Sequence, residues 1–206
     1  GQILVKIFFS GVCRSQLMEV RGLRGKDSWL PHLLGHEASG VVVDVGPGVT
    51  KVQSGDEVIL TWIKGEGLEA PGAQYLFGEQ TINSGSVTTF SNYSVVSENR
   101  VVKKPEGLQF DEAVLFGCAL PTGAGMVLNE INPSSDESVI VLGLGGIGLS
   151  TLMALKALGV INLIAADISD QKLKIAKKLG VANCLNTSDK NFIKKSKELT
   201  LGGANY

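Results

Sequence analysis

Two groups of residues in this chain have types and spacings that could do chemistry, one contiguous and one dispersed. In the contiguous group the apolar run Val139-Ile140-Val141-Leu142 feeds Gly143-Leu144-Gly145-Gly146-Ile147-Gly148. Asp167 stands nineteen residues past the last glycine, closing a second apolar run, Leu163-Ile164-Ala165-Ala166. A Gly-x-Gly-x-x-Gly turn between a strand and a helix, with an acid at that distance, is the layout of a dinucleotide-binding β-α-β unit. Gly143 permits the tight turn, Gly145 bares the backbone for a pyrophosphate, and Gly148 lets the helix lie close to the sheet. The unpaired N–H groups at the helix start face the phosphates, so these three glycines and Gly146 are the expected contacts. Asp167 can accept hydrogen bonds from both ribose hydroxyls and would repel the extra phosphate of NADP, which makes NAD the expected cofactor. The dispersed group is Cys13 in Ser10-Gly11-Val12-Cys13-Arg14-Ser15, His36-Glu37 in Leu33-Leu34-Gly35-His36-Glu37-Ala38-Ser39-Gly40, and Cys118 in Gly117-Cys118-Ala119-Leu120-Pro121-Thr122-Gly123. With Cys184 the chain has three cysteines at wide separations, which is no disulfide framework and leaves ligand or core roles.

The elements that must position these residues differ between the two halves. Up to about Phe116 the chain reads as short strands broken by glycine, Ile3 to Phe9, Ala38 to Val45, Glu57 to Trp62 and Asn92 to Ser97, an all-β pattern. After about Pro121 it alternates: a helix from Ile147 to Leu158, a strand ending at Asp167, a helix from Gln171 to Leu179 stopped by Gly180, a strand at Asn183-Cys184-Leu185, and a lysine-rich helix ending near Leu201. Phe110 to Phe116 and Thr122 to Asn129 read as helical connections. Trp62 to Phe90 is glycine-punctuated without clear periodicity, and loops of that length are functional or anchored by something.

Composition sets the bounds. The chain has 206 residues, 44% hydrophobic and 19% charged, with a formal charge of −1. That balance offers no general attraction to nucleic acid or an anionic membrane. Eight lysines gather between Lys172 and Lys197, but at spacings that read as the wet sides of amphipathic helices. No run of about eighteen apolar residues exists and no charged-apolar-small leader opens the chain, so neither a membrane span nor a secretion signal is expected, and the cytoplasm is the expected compartment.

Five ordered motifs, Gly-Val-Cys-Arg-Ser, Gly-His-Glu-x-x-Gly, Gly55-Asp56-Glu57-Val58, Gly-Cys-x-x-x-Thr-Gly and the glycine fingerprint, run over essentially the whole chain. In them the sequence resembles the zinc-containing medium-chain alcohol dehydrogenases. The resemblance implies an α/β plus β fold: a GroES-like β-rich catalytic domain over residues 1–120, then an incomplete Rossmann domain, a doubly wound parallel sheet, over residues 121–206. It implies one catalytic zinc held by Cys13, His36 and Cys118, with Glu37 as an auxiliary carboxylate near the metal. Such an ion eases loss of an alcohol proton while the hydride passes to the nicotinamide. Ser15 is the implied first hydroxyl of a proton relay, Arg14 a contact to the pyrophosphate, and Thr122 and Ile147 the residues beside the nicotinamide. Trp62 is the expected wall of the substrate pocket. The read residue types leave plainer roles open: Cys13 and Cys118 as small core hydrophobes, Ser15 as a helix cap, Glu37 as a partner of Arg14, and Trp62 as core.

The chain departs from the family pattern in four places. Gln16 stands where an aspartate commonly orients the zinc histidine, and a neutral amide would hold His36 with less charge. Met18 stands near the position of a relay histidine. No cysteine lies between Cys13 and Cys118, so no structural zinc is expected. Both ends look cut, and the expected full-length protein, a homo-oligomer, would be longer. The expected activity is oxidation of an alcohol or polyol to its aldehyde or ketone with NAD. The alternatives are a zinc-free quinone or enoyl reductase of the same superfamily and a non-catalytic NAD-binding protein.

Overall fold

A computed structural model describes all 206 residues. The chain divides into two compact units, Gly1–Cys118 and Ala119–Tyr206. No single helix is long and apolar enough to cross a membrane.

The first unit is built on a five-stranded antiparallel sheet. In chain order its strands are β1 (Gln2–Ser10), β2 (Glu37–Val45), β3 (Glu57–Thr61), β6 (Tyr93–Ser97) and β7 (Val101–Lys103), arranged β6-β1-β2-β3-β7. Residues two apart point to the same face of a strand. Ile3 and Val5 of β1, Val58 and Leu60 of β3, and Val96 of β6 accordingly join Ala38, Val42 and Val101 in one buried cluster. Between β1 and β2 lies the short helix α1 (Arg14–Val20), and β3 is followed by a hairpin of β4 (Gln74–Phe77) and β5 (Gln80–Asn83). The hairpin occupies part of the stretch that the sequence reads as a loop. Its strands have only four residues each, and most of their side chains are exposed, so no alternation marks them.

That stretch is tied to the segment following β6 by polar groups. Glu98, 1% exposed, accepts hydrogen bonds from the backbone N–H groups of Thr50 (2.6 Å), Lys51 (2.7 Å) and Leu68 (2.8 Å). Ser97 Oγ exchanges hydrogen bonds with the Ala70 backbone, and the Asn99 N–H donates to Leu68 O. Three donors on one carboxylate hold Glu98 down at a pKa of about 2, below its ordinary 4.5.

The unit ends in α2 (Phe110–Ala113) and a 3-10 turn, Val114–Gly117. Phe110 stacks edge-on against Phe8 at 4.8 Å, and its carbonyl accepts from Ser39 Oγ at 2.6 Å.

The second unit starts with α3 (Ala119–Gly125), which runs into a π-helical segment, Met126–Ile131. Three parallel strands follow, β8 (Ser138–Leu142), β9 (Asn162–Asp167) and β10 (Asn183–Asn186), in the order β10-β9-β8. They alternate with α4 (Gly146–Ala157), α5 (Asp170–Lys178) and α6 (Phe192–Leu199), the pattern of a Rossmann-like half-sheet. Val139, Val141 and Ala165 from the strands pack on Leu152, Leu155, Leu173 and Ala176 from the helices. α5 stops where Gly180 adopts φ +82°, a left-handed conformation in which glycine carries no Cβ penalty. The lysines of α5 and α6 lie exposed, as their spacing implies, except Lys172, which is half-buried.

Candidate functional site

In the first unit the dispersed group comes together. Cys13 is the residue at the N-cap of α1, His36 immediately precedes the central strand β2, Glu37 opens that strand, and Cys118 follows the 3-10 turn. One donor atom from each of the four lies within 4.8 Å of the others, with His36 Nε2 3.3 Å from Cys118 Sγ. Two glycines make the room. A Cβ on Gly11 would fall 2.6 Å from Glu37 Cδ, and one on Gly117 would fall 2.6 Å from Glu37 Cβ. The Glu37 carbonyl is gripped by Ser10 Oγ at 3.1 Å and Thr89 Oγ1 at 3.2 Å, so the start of β2 is fixed from two sides.

The electrostatics of this cluster bear on what it can hold. Burial lowers the pKa of His36, which favours a neutral imidazole with a free lone pair, and burial raises that of Glu37. Cys118 is pushed up to about 12 by burial first, then by the neighbouring Cys13 and Glu37, against a hydrogen bond from Trp62 that favours the thiolate. Three groups that would each be anionic crowd one buried spot beside a neutral nitrogen. A soft divalent cation relieves that crowding, and two sulfurs with an imidazole are the donor set zinc takes. The residues therefore fit the metal.

The other sequence-derived candidates in this unit fall around the cluster in different ways. Trp62 reaches Cys118, with 49% of its surface exposed. Ser15 lies in the first turn of α1, half-buried; Cys13 holds the cap position and has no side-chain cap bond, so capping is not what Ser15 does. Arg14 is exposed, and Met18 is 37% exposed. Gln16 differs from its expected partner: its Oε1 accepts from the Gly35 N–H and its Nε2 donates to Glu19 Oε2 at 3.1 Å, so it serves the main chain before His36.

The second unit carries the glycine turn. Gly143 has φ +89° in the turn out of β8, and Gly145 precedes α4 with open space where a Cβ would stand. A Cβ on Gly148 would overlap the Gly143 carbonyl, and one on Gly123 of α3 would overlap Ser150 Oγ and Ile147 O of α4. Ile147 is 47% exposed and Thr122 half-buried on α3. Asp167 is 5% exposed. Its Oδ2 accepts from the Leu144 N–H at 2.7 Å, and its Oδ1 accepts from the Ser169 N–H at 2.8 Å. These bonds, the Leu144 one foremost, and Lys172 at 3.3 Å hold its carboxyl below the usual range, so it is anionic. Lys172, whose spacing assigns it to a solvated helix face, is instead the partner of Asp167; the signal is a lysine in the first turn of the helix that follows the acid.

The first 106 residues match the family model described as the alcohol dehydrogenase GroES-like domain, and residues 146–206 match that of the zinc-binding dehydrogenases. The S-(hydroxymethyl)glutathione dehydrogenase of Paracoccus denitrificans is 31% identical over all of this chain, which spans 64% of that protein's length. The class-3 alcohol dehydrogenase of Cereibacter sphaeroides is 31% identical over 92% of the chain, which spans 57% of it. Among solved structures, benzyl alcohol dehydrogenase from Acinetobacter calcoaceticus superposes with a TM-score of 0.86 at 31% identity, over 99% of this chain and 61% of the other.

Proposed function

We propose, for a chain that belongs to the zinc-containing medium-chain alcohol dehydrogenase family, that it is the zinc-holding and NAD-holding part of a dehydrogenase acting on an alcohol or polyol. The observation that carries this reading is the gathering of Cys13, His36, Glu37 and Cys118, 105 residues apart at the extremes, with donor atoms within 4.8 Å. Bound there, zinc would supply a Lewis acid for the substrate oxygen, and NAD would take or give the hydride.

The chain's own residues do the rest. Cys13, His36 and Cys118 hold the ion and leave room for substrate, and Glu37 stands by as a fourth, exchangeable donor. Ser15 accepts the proton of the alcohol oxygen as its own hydroxyl proton passes on. The thioether of Met18 cannot carry it further, so it leaves towards solvent by another route. Trp62 bounds the substrate space from the Cys118 side. Gly143, Gly145, Gly146 and Gly148 admit the pyrophosphate, Thr122 and Ile147 lie against the nicotinamide, Arg14 meets the pyrophosphate, and Asp167, with Lys172 beside it, takes the adenosine ribose and selects NAD over NADP. In this assignment the first unit is the catalytic domain and the second the NAD-binding one. One zinc serves the protein, with none in a structural role, and the full-length protein assembles with copies of itself in the cytoplasm.

The test is metal content and turnover on the full-length protein. About one zinc per chain, and NADH formation with an alcohol or sugar alcohol, is the expected result. Turnover with clearly less than one metal ion per chain would favour the zinc-free reductase.

A further inference from the structure

The turn that presents His36 is held in a way that depends on Gln16. The peptide unit joining Leu34 to Gly35 is gripped at both ends. Its carbonyl accepts from the N–H groups of Thr89 (3.3 Å) and Phe90 (3.0 Å), and its N–H donates to Gln16 Oε1 in a buried hydrogen bond. Gly35 itself has φ +94°, and a Cβ there would overlap Thr89 Oγ1 and crowd the Phe90 backbone. The position therefore admits glycine alone, and the N–H it presents is taken by the Gln16 side chain. That acceptor lies on α1, the helix that begins directly after Cys13. Gln16 thus joins the segment carrying one sulfur donor to the segment carrying the imidazole.

The amide of Gln16 can do this in one orientation only. Gly35 offers it a donor, and Glu19 offers it acceptors, so the oxygen must face Gly35 and the nitrogen must face Glu19, which receives it at 3.1 Å. Glu19 is fixed in turn. Its Oε1 lies 3.4 Å from His32 Nε2, and its Oε2 lies 3.9 Å from Arg24. His32 is held by Asp27 Oδ2 at 2.6 Å and by the Leu33 carbonyl, against its Nδ1, at 2.9 Å. The carboxylates in this chain of contacts, Glu19 and Asp27, stand behind Gln16 rather than against the ligand turn itself.

We propose that Gln16 is a positioning residue: it sets His36 in ligating geometry through the main chain of Gly35, and Glu19 orients the Gln16 amide for that purpose. The inference rests on the zinc reading above. Partners of this kind around a metal ligand typically change metal affinity by about 10-fold to 100-fold when removed.

A charge exchange tests it in the full-length protein. Gln16→Leu removes the acceptor, and Gln16→Glu keeps an acceptor but sets a carboxylate against Glu19. The double variant Gln16→Glu/Glu19→Gln restores the pairing with donor and acceptor exchanged. Three quantities are read: zinc affinity by chelator competition, the visible absorption of the cobalt-substituted protein, and hydrogen exchange at the Gly35 amide. Both single variants are expected to lose at least about tenfold in zinc affinity, with a shifted cobalt spectrum and faster Gly35 exchange. The double variant is expected to return all three to near the parent values. Parent-like affinity and spectrum in Gln16→Leu, or a double variant no better than Gln16→Glu, would overturn the proposal while leaving the zinc reading intact. A parent protein that takes up no zinc or cobalt would overturn both, and Gly35 exchange would then report on the hydrogen bond alone.

Discussion

The two candidate sites are assembled in opposite ways. The glycine turn and Asp167 come from a single strand-helix-strand passage of the second unit, and each glycine's task follows from its immediate neighbours. The thiol, imidazole and carboxylate cluster of the first unit is gathered from three distant segments, and its holders act across them: Ser10, Gly11 and Gln16, near Cys13, and Gly117, beside Cys118, meet Gly35 or Glu37, as does Thr89. A contiguous site tolerates change elsewhere and fails when its own backbone is disturbed. A gathered site fails when any one of its distant holders goes.

The comparison can be broken most severely at Cys118. Replacing it by alanine in the full-length protein is expected to lower kcat/KM by about a thousandfold or more and to empty the metal site, while NAD still binds. Metal analysis and cofactor titration on the same sample check both halves; loss of NAD binding as well would show that the two sites depend on each other. Gly148→Val acts on the other region. Its side chain has nowhere to go but into the Gly143 carbonyl, so about 3 kcal/mol or more of stability and all measurable NAD binding should be lost. Chemical denaturation and NAD titration read the result.

Glu98→Gln sharpens the comparison by weakening a distant support without touching either site. Removing a carboxylate that satisfies three backbone donors is expected to cost about 2–4 kcal/mol in urea unfolding. The parent protein carries the matching pH signature. The Glu98 pKa is about 2 in the folded chain and 4.5 ordinarily, so the unfolded chain takes up the proton first. The contribution is therefore complete above about pH 4.5 and is lost as pH falls towards 2. Unfolding midpoints of parent and variant should converge over that window, and parallel curves would remove Glu98 as the cause. The smallest effects belong to the ribose end. Asp167→Asn should weaken NAD by about tenfold and narrow the preference over NADP, and Lys172→Ala should change NAD affinity by about threefold or less. Steady-state titration with both cofactors measures each.

What the sequence made legible follows the same division. The strand, glycine turn, helix and acid of the second unit are visible because each signal lies within a few residues of the next, and the helix and strand limits expected there fall within a residue or two of those observed, apart from the helix expected from Thr122, which begins three residues earlier at Ala119. In the first unit the four principal strands β1, β2, β3 and β6 are visible from their apolar runs. The β4–β5 hairpin and β7 are not, since four-residue and three-residue strands with exposed faces leave no period to read. Cys13, His36, Glu37 and Cys118 could be named together only through five ordered motifs taken jointly. The orientation of Gln16 and the grip of Glu98 could not be read at all, because both depend on which backbone N–H groups the fold brings within reach.

The segment between β3 and β6 has a further property that follows from what secures it. Its anchor is the buried carboxylate of Glu98, which accepts from the Leu68 N–H, and the chain has no cysteine between Cys13 and Cys118. Peroxide, which attacks thiolates, finds no cysteine there. Oxidation of thiols in the first unit would therefore fall on Cys13 and Cys118 and leave this flank of the sheet unmodified.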